Sequence, residues 1–489
     1  MPGLLILPMS KINITTTCKK ISADLYTPVG IYLRMRDKFR DTILLESTDS
    51  HAGENSRSII GINAVGGIEI TNFNKAEYKY PGQKPENLLL NKKENLTEVL
   101  GNFLDSFEAQ KPTESIATIA QGLFGYTTYD AVQFFENINF STPNPSSLNA
   151  HLEKTSASIP LMRYRVYQHV IIIDHFKDEI FLCENLFEGL ESNLLNIENI
   201  LRSKDVPEFP FNTVGSEVAD MEDDSYREMV QKGINACKRG DVFQIVLSRT
   251  FQQKFTGDEF NVYRSLRSIN PGPYLFYFDY GDYRLMGSSP ESQVLIENGK
   301  ATVHPIAGTF RRTGDDEADK KLAVELENDP KENAEHIMLV DLARNDLSRV
   351  CTNVAVTKFK NINFYSHVIH MVSEVQGDLS AEKNPFKIMG AVFPAGTLSG
   401  APKFKAMQLI NSIENNERSF YGGAIGYIGF DKSCNHAIMI RTLLCKNNTL
   451  TYRAGAGVVA ASVPQKELEE VHHKLGALKK AIKMASLIS

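Results

Sequence analysis

Val303 to Cys351 reads VHPIAGTFRRTGDDEADKKLAVELENDPKENAEHIMLVDLARNDLSRVC. It opens on a turn, His304-Pro-Ile-Ala-Gly-Thr309, punctuated by Pro and Gly. A basic pair follows, Arg311 and Arg312, then a charge-dense segment and a helical pattern carrying Glu332 and Glu335. Glutamates three residues apart share a helix face. A turn, a cationic pair and neighbouring carboxylates are the parts an enzyme needs to hold a small anionic substrate and a hard metal ion. Hairpin-like strands precede this helix and further strands follow it, so the fold class is α+β.

Working outward, Ser225-Tyr-Arg-Glu228 has capping-box spacing and predicts a helix ending at Gly240-Asp241. Val242–Phe251 predicts a strand, Tyr263–Ile269 a short helix, and Asn270-Pro-Gly-Pro273 a turn into the strand Tyr274–Tyr280. Arg284–Ser288 and Gln293–Ile296 continue the sheet. Beyond the central helix come strands Val354–Phe364 and Val368–Val375 and a helix Asn384–Ala391. A turn Phe393–Pro402 leads to a helix Lys403–Glu414, then strands Ala424–Phe430, Ala437–Leu444 and Thr449–Ala454. The last helix starts at Ser462, in capping-box spacing with Gln465, and its core stripe is Leu468, Val471, Leu475, Leu478 and Ile482.

Upstream, strands are predicted at Thr42–Leu45, Ser58–Asn63 and Gly67–Thr71. A loop is expected over 76–95, a helix over Leu96–Phe107 and a loop over 140–157. A hairpin follows (Arg163–Ile173, Asp178–Cys183), then a helix Glu188–Arg202. Residues 206–224 are acidic, contain Pro207 and Pro210, and read as a linker between regions 1–205 and 225–489. Gly122-Leu-Phe-Gly-Tyr-Thr-Thr-Tyr-Asp130 matches Gly423-Ala-Ile-Gly-Tyr-Ile-Gly-Phe-Asp431 at both glycines, the tyrosine and the aspartate. That is either one sheet element used twice or chance.

The chain has 489 residues, 42% apolar and 23% charged, an ordinary soluble composition. A net charge of −6 without a long basic run argues against nucleic acid or an anionic membrane as partner. The apolar run Leu4–Leu7 is too short for a signal core or a span, and Met9 is a second possible start. The six cysteines form no CxxC and read as reduced core thiols of a cytoplasmic protein. None sits in a Gly-x-Cys-x-Gly elbow, so the chain shows no amidotransferase of its own. Tryptophan is absent, by chance or by economy in a protein made when tryptophan is scarce.

The last helix carries a second Glu-x-x-Glu, Glu467 and Glu470, with Lys474 beside it. Like charges at that spacing cost a few tenths of a kcal/mol each in water. They cost far more near a buried site, unless a cation such as Mg²⁺ offsets them. Taken singly, either pair is more often a solvated face. Gly455-Ala456-Gly457 fits a dinucleotide fingerprint formally, but no helix follows at once, so a bare-backbone loop meeting a carboxylate is the better reading. Arg441, Arg453 and Tyr421 are candidates to hold carboxylates.

Eight ordered motifs carry a family resemblance: GDVFQIVLSR from Gly240, HPIAGT, KENAEHIMLVDLARNDLSRV, VIHMVSEVQG, FPAGTLSGAPK, GGAIGYIGFD, IMIRT and RAGAGVVAASVPQKELEEV. Together they closely resemble the chorismate-utilising enzymes across the second half and, more weakly, the first. The resemblance implies large antiparallel sheets forming a sandwich-like core with helices outside. It also implies an N-terminal regulatory region (1–205) and a catalytic region (225–489). Within the family the chain looks like the branch that makes anthranilate and pyruvate from chorismate and ammonia. Gln244 stands where water-using relatives carry a lysine, and Ala307 where aminodeoxychorismate-forming ones carry a nucleophilic lysine. Those relatives and a non-catalytic tryptophan-binding relic are the alternatives.

The implied catalytic residues are His370, Glu291, Gln244 and Thr397. Substrate would be held by Gly308, Thr309, Tyr421, Arg441, Gly455, Ala456, Gly457 and Lys474. Mg²⁺ would be held by Glu335 and Glu470, with Glu332 and Glu467 acting through water. Leu44-Leu-Glu46-Ser47 with Asn270, Pro271, Pro273, Tyr274 and Leu275 resembles a tryptophan feedback site, with Gly272 where serine is usual. The implied partner is a glutamine amidotransferase subunit, in a heterotetramer.

Overall fold

The computed structural model describes residues 11–47, 56–90, 96–140, 158–364, 368–380, 384–414 and 416–488. The apolar run at Leu4, the start at Met9 and most of the 140–157 loop lie outside them.

Two long strands, Arg57–Asn72 and Met162–Asp174, pair antiparallel along their whole length, with a register shift between Ala64 and Gly66. On one side of that shift their outer neighbours are Thr42–Glu46 and Glu179–Leu186. On the other side they are Lys75–Lys79 and Gly122–Thr127. One strand pair thus belongs to two sheets.

The first sheet runs Phe211–Ala219, Gln244–Gly257, Thr449–Val458, Thr442–Lys446, Tyr283–Ser289, Tyr274–Asp279 and Thr42–Glu46. It then takes the shared pair and ends on Glu179–Leu186 and Ile12–Ser22. The second runs Glu86–Leu89, Lys75–Lys79, the shared pair, Gly122–Thr127, Ala424–Gly429, Cys434–Ile438, Ser292–Glu297, Lys300–Val303 and Val368–Leu379. Val368–Leu379 also pairs with Ile306–Arg311 and Cys351–Phe364. These pairings are antiparallel; Ile12–Ile14 with Phe107–Ala109 is parallel.

Alternation along the strands sorts apolar residues into layers. In Tyr274–Asp279, Leu275 and Tyr277 join a cluster with the helices Pro28–Met35, Asp223–Lys238, Phe260–Ile269 and Pro464–Ala485. Phe276 and Phe278 join a second cluster with Phe124, Tyr126, Ile425 and Ala437 of the other sheet. A third cluster lies between the second sheet and helices Leu96–Asp105, Pro330–Ser348 and Pro385–Val392. The result is helix, sheet, sheet, helix, in line with the expected α+β sandwich.

Several local expectations are corrected. The 76–95 loop contains the strands Lys75–Lys79 and Glu86–Leu89, and Ser58–Asn63 and Gly67–Thr71 are one strand. The 206–224 stretch holds the strand Phe211–Ala219, paired to Gln244–Gly257, which gives its backbone groups partners that no local pattern displays. Ser225 and Ser462 are not N-caps. The first helix begins at Asp223 and the last at Pro464, and the Ser462 hydroxyl accepts from Val459 N instead. The turn at 304–309 yields to a strand from Ile306, bulged at Gly308 with φ +75°. Ala437–Leu444 is two strands broken at Arg441, whose φ is +49°. Strand Ile12–Ser22 and helix Pro28–Met35 carried no clear pattern and escaped the sequence reading.

The Gly122 and Gly423 echo proves to be two adjacent strands. They pair antiparallel with Gly125 directly opposite Gly426, so the matched residues are related by a local two-fold. A Cβ on Gly125 would overlap the carbonyl oxygen of Arg163, and one on Gly426 that of Asn435. Gly125→Val should therefore cost about 3 kcal/mol or more. A urea midpoint unchanged from wild type would refute this close approach.

Candidate active site

Helix Pro330–Ser348 starts with Pro at its first position, and the Asp329 side chain accepts from Lys331 N and Glu332 N. Glu332 lies in its first turn, and Glu467 in the first turn of Pro464–Ala485. Carboxylates there face the positive end of the helix dipole. Burial raises the Glu332 carboxyl, then the neighbouring Glu335 charge, with Glu470 of the other helix also contributing. Burial raises Glu467 likewise; Ser462 opposes, Glu470 adds, and Lys331 of the facing helix opposes. The two pairs, far apart in sequence, therefore share one electrostatic field.

Each inner glutamate has a specific donor. Gln244 Nε2 donates to Glu335 Oε1 at 2.9 Å. Lys474 Nζ lies 2.7 Å from Glu470 Oε1 and donates to Gly455 O at 3.0 Å. Among the described residues no three His, Cys, Asp or Glu side chains converge tightly enough to hold a metal ion. The donor chemistry nonetheless fits Mg²⁺: of the four carboxylates, Glu332 and Glu467 are raised by burial and by the Glu335 and Glu470 charges, which a hard cation relieves.

Glu291 accepts from the Thr397 hydroxyl at 3.0 Å. Burial pushes its carboxyl up to about 7, against the pull of that hydroxyl and of Lys474 and Arg441. His370 pairs with Thr309 in register, and its Nδ1 lies 3.2 Å from Gly308 O. Burial lowers its pKa; the Gly308 carbonyl opposes this and the Arg441 charge adds to it. Arg441 reaches this group from the break between strands, and burial lowers its pKa against the Glu291 charge. Its guanidinium forms no ion pair or side-chain hydrogen bond with a described residue, which leaves its fork for an anion. A small cavity of about 40 Å³ opens beside Glu291 and Thr397, lined also by Gln293, His304, Leu342 and Asp346.

Gly455-Ala456-Gly457 is not a loop but part of Thr449–Val458, paired to Gln244–Gly257. Ala456 turns its side chain into the helix-side core, so only its backbone could meet a ligand. A Cβ on Gly457 would come within 2.5 Å of Gln244 Nε2, and one on Gly455 within 3.1 Å of the Tyr421 hydroxyl. Gly308 is likewise crowded, by Leu326 at 2.7 Å and Glu332 at 3.3 Å from a built Cβ. The structure thus gathers Gln244, Glu335, Glu470, Lys474, Gly455, Gly457 and Tyr421 on one side. Glu291, Thr397, His370, Gly308 and Arg441 lie on the other, with Lys474 felt by Glu291.

A family model described as chorismate binding enzyme matches residues 70–480. The chain belongs to the chorismate-binding enzymes. "Anthranilate synthase component 1" from Aquifex aeolicus (strain VF5) is 35% identical to it, over 97% of this chain and 95% of the relative. The protein of that name from Acetivibrio thermocellus is also 35% identical, over 97% of each. The crystal structure of anthranilate synthase component I from Streptococcus pneumoniae TIGR4 matches with a TM-score of 0.75 at 30% identity, over 94% of this chain and 99% of that one.

Other members of this chorismate-binding chain's candidate set sit differently. Arg453 does not face the site: it donates to Glu414, Ser248 and Glu417 O in a buried cluster. Arg312 pairs with Asp319 at 2.7 Å and steadies the start of helix Asp316–Asn328. The residues likened to a tryptophan site do meet, since Glu46 stands opposite Leu275 in paired strands. The Glu46 carboxylate is already engaged by Tyr263 at 2.7 Å and Arg267 at 2.9 Å. Ser47 N donates to Arg57 O, and Asn270 exchanges hydrogen bonds with Ser288, whose Oγ would be 3.2 Å from a Cβ at Gly272. Missed altogether was the buried Lys403–Asp346 pair at 2.5 Å, which carries no local signal.

The crowding at Gly457 gives a specific outcome. Gly457→Ala should drive the Gln244 amide off Glu335 and cut kcat at least tenfold. The thermal midpoint should stay within a few degrees, because the new methyl meets a side-chain end rather than backbone. Wild-type kcat in this variant would count against a working Gln244–Glu335 contact.

Proposed function

We propose that this chain is the chorismate-binding component of an ammonia-dependent anthranilate synthase, converting chorismate and ammonia to anthranilate and pyruvate in the cytoplasm. The observation that carries this reading is near-full-length identity of 35% to two relatives named Anthranilate synthase component 1. The residues agree with it. Ala307, 7% exposed, offers no nucleophile where a covalent route would need one. Gln244 presents an amide, not a lysine base, to Glu335.

In this reading Glu335 and Glu470 hold Mg²⁺, with Glu332 and Glu467 supporting through water. Bound there, the ion would withdraw charge from the ring carboxylate of chorismate and make the conjugated ring more open to attack. Arg441, Tyr421, the Gly308, Gly455, Ala456 and Gly457 backbone and Lys474 hold the two carboxylates; the Thr309 side chain lies outside what the structure describes. Gln244 sits beside the ring carboxylate's anchor and suits a neutral nucleophile, ammonia, adding at C2. Glu291, still protonated near neutral pH, gives its proton to the departing C4 hydroxyl. Thr397 orients that carboxyl. Loss of the C2 proton and of pyruvate then completes the aromatic ring, with His370 next to the pyruvyl ether.

Ammonia would come from a glutamine amidotransferase subunit. Tryptophan would bind where Glu46 and Ser47 meet Asn270, Pro271, Pro273, Tyr274 and Leu275, as a feedback inhibitor.

Chorismate, ammonium and Mg²⁺ with the purified chain should give fluorescent anthranilate, and Glu470→Gln should abolish it while keeping the fold. Full Mg²⁺-dependent turnover in that variant would overturn the metal assignment. The acid role has a pH signature. Glu291 must be protonated to donate, so kcat should fall as pH rises through about 7. The Thr397 hydroxyl lowers the Glu291 pKa, so Thr397→Val should move that limb to higher pH; a limb that stays put would reject Glu291 as the acid.

A further inference from the structure

All six cysteines are free thiols, but two of them are not scattered. Cys18 and Cys183 stand directly opposite each other where Ile12–Ser22 pairs with Glu179–Leu186. Their Sγ atoms are 3.1 Å apart. Directly opposed residues in antiparallel strands have Cα atoms about 4.5–5.5 Å apart, inside the span that a disulfide bridges. The backbone therefore already holds the two thiols at bridging separation. Reaching a bonding distance of about 2 Å needs side-chain rotation and no movement of either strand.

The two thiols are unequal. Cys183 is 1% exposed, whereas Cys18 is only partly buried. The Cys183 S–H beside it holds Cys18 below its usual range, against burial and the Glu114 charge. Cys183 is pushed up by the same contact and by burial. Such an arrangement divides the roles: a partly exposed sulfur whose ionisation is favoured, and a buried partner to resolve it.

We propose that Cys18 and Cys183 are a thiol-oxidation site that closes to a reversible intramolecular disulfide when a hydroperoxide reaches Cys18. The Cys18 thiolate attacks a peroxide oxygen, the O–O bond breaks, and hydroxide leaves with a sulfenic acid formed on Cys18. Cys183 sulfur then attacks the Cys18 sulfur, and its proton leaves with the displaced hydroxide as water. The net reaction is two thiols plus hydrogen peroxide to one disulfide plus two waters; the sulfur pair loses the two electrons that the peroxide gains. A small thiol restores both cysteines by exchange. The physical consequence lies in the N-terminal strand. Among the described residues Thr15–Ser22 is paired to one neighbour only. The bridge would staple it covalently and close residues 19–182 into a loop in the unfolded chain, which favours the folded state.

The full-length native protein is treated with equimolar hydrogen peroxide, alkylated, digested and read by mass spectrometry. The expected product is a cross-linked peptide pair, containing Cys18 and Cys183 and two hydrogens lighter than its parts, that dithiothreitol separates. Two thiols per chain are lost, Cys237, Cys351, Cys434 and Cys445 stay alkylatable, and the thermal midpoint rises by a few degrees. In Cys183→Ser the midpoint should not rise, and Cys18 should run on to sulfinic acid. Recovery of wild-type Cys18 only as free thiol or as sulfinic acid, or a bridge between other cysteines, would overturn the proposal. The wild-type readout stands whether or not the variant folds.

Discussion

A buried ion cluster holds the floor of the candidate site together. Glu414, just past helix Lys403–Ile413, accepts from Ser248 N and Oγ, from Arg418 and from Arg453. Arg418 also donates to Leu398 O and Val246 O. One carboxylate thus ties the strands Gln244–Gly257 and Thr449–Val458 to the short turn that carries Thr397. Removing a partner from such a cluster leaves a buried charge unpaired, which costs about 3–5 kcal/mol. Glu414 is held below the usual carboxylate range despite its burial, because both guanidinium groups oppose that burial. Gly455, Tyr421 and Thr397 are positioned from this cluster, and through them the side of the site that would meet a carboxylate.

A second charged group has the other sign. Glu332, Glu335, Glu467 and Glu470 influence one another across two helices, with Lys474, Lys331 and the Gln244 amide among their described neighbours. The two regions differ in what they are for. The Glu414 cluster sets one carboxylate between two guanidinium groups; the four helix glutamates instead carry an excess of negative charge. Arg441 is the complementary cation, a guanidinium without an ion-pair partner among the described residues, at a backbone break. Its left-handed backbone ends one strand and starts another, and this is why an arginine can reach the site from the middle of a sheet.

The sheets explain how such distant residues meet. Because Arg57–Asn72 and Met162–Asp174 serve both sheets, region 1–205 is woven into region 225–489 through the pairings of Thr42–Glu46 with Tyr274–Asp279 and Gly122–Thr127 with Ala424–Gly429. The residues likened to a tryptophan site are thereby in the same sheet as the Gln244 strand.

Local chemistry was legible in the amino-acid order. The α+β class, both glutamate helices, the Ser-Ser-Pro-Glu291 and Pro-Ala-Gly-Thr397 turns and the family motifs are short-range patterns, each written within a dozen or so residues. Strands whose partners are remote were not legible: Ile12–Ser22, Lys75–Lys79, Glu86–Leu89 and Phe211–Ala219 have weak periodicity and exist because another strand supplies their hydrogen bonds. Arg453 and Arg441 look alike in sequence, yet one is spent on Glu414 and the other has no ion-pair partner among the described residues, a difference set by which buried carboxylate lies within reach. Sequence alone determined which residue types could do chemistry. The tertiary structure decided which carboxylates face each other, which glycines are pinned by side chains, and which two of six thiols touch, because those outcomes depend on through-space distances between segments hundreds of residues apart.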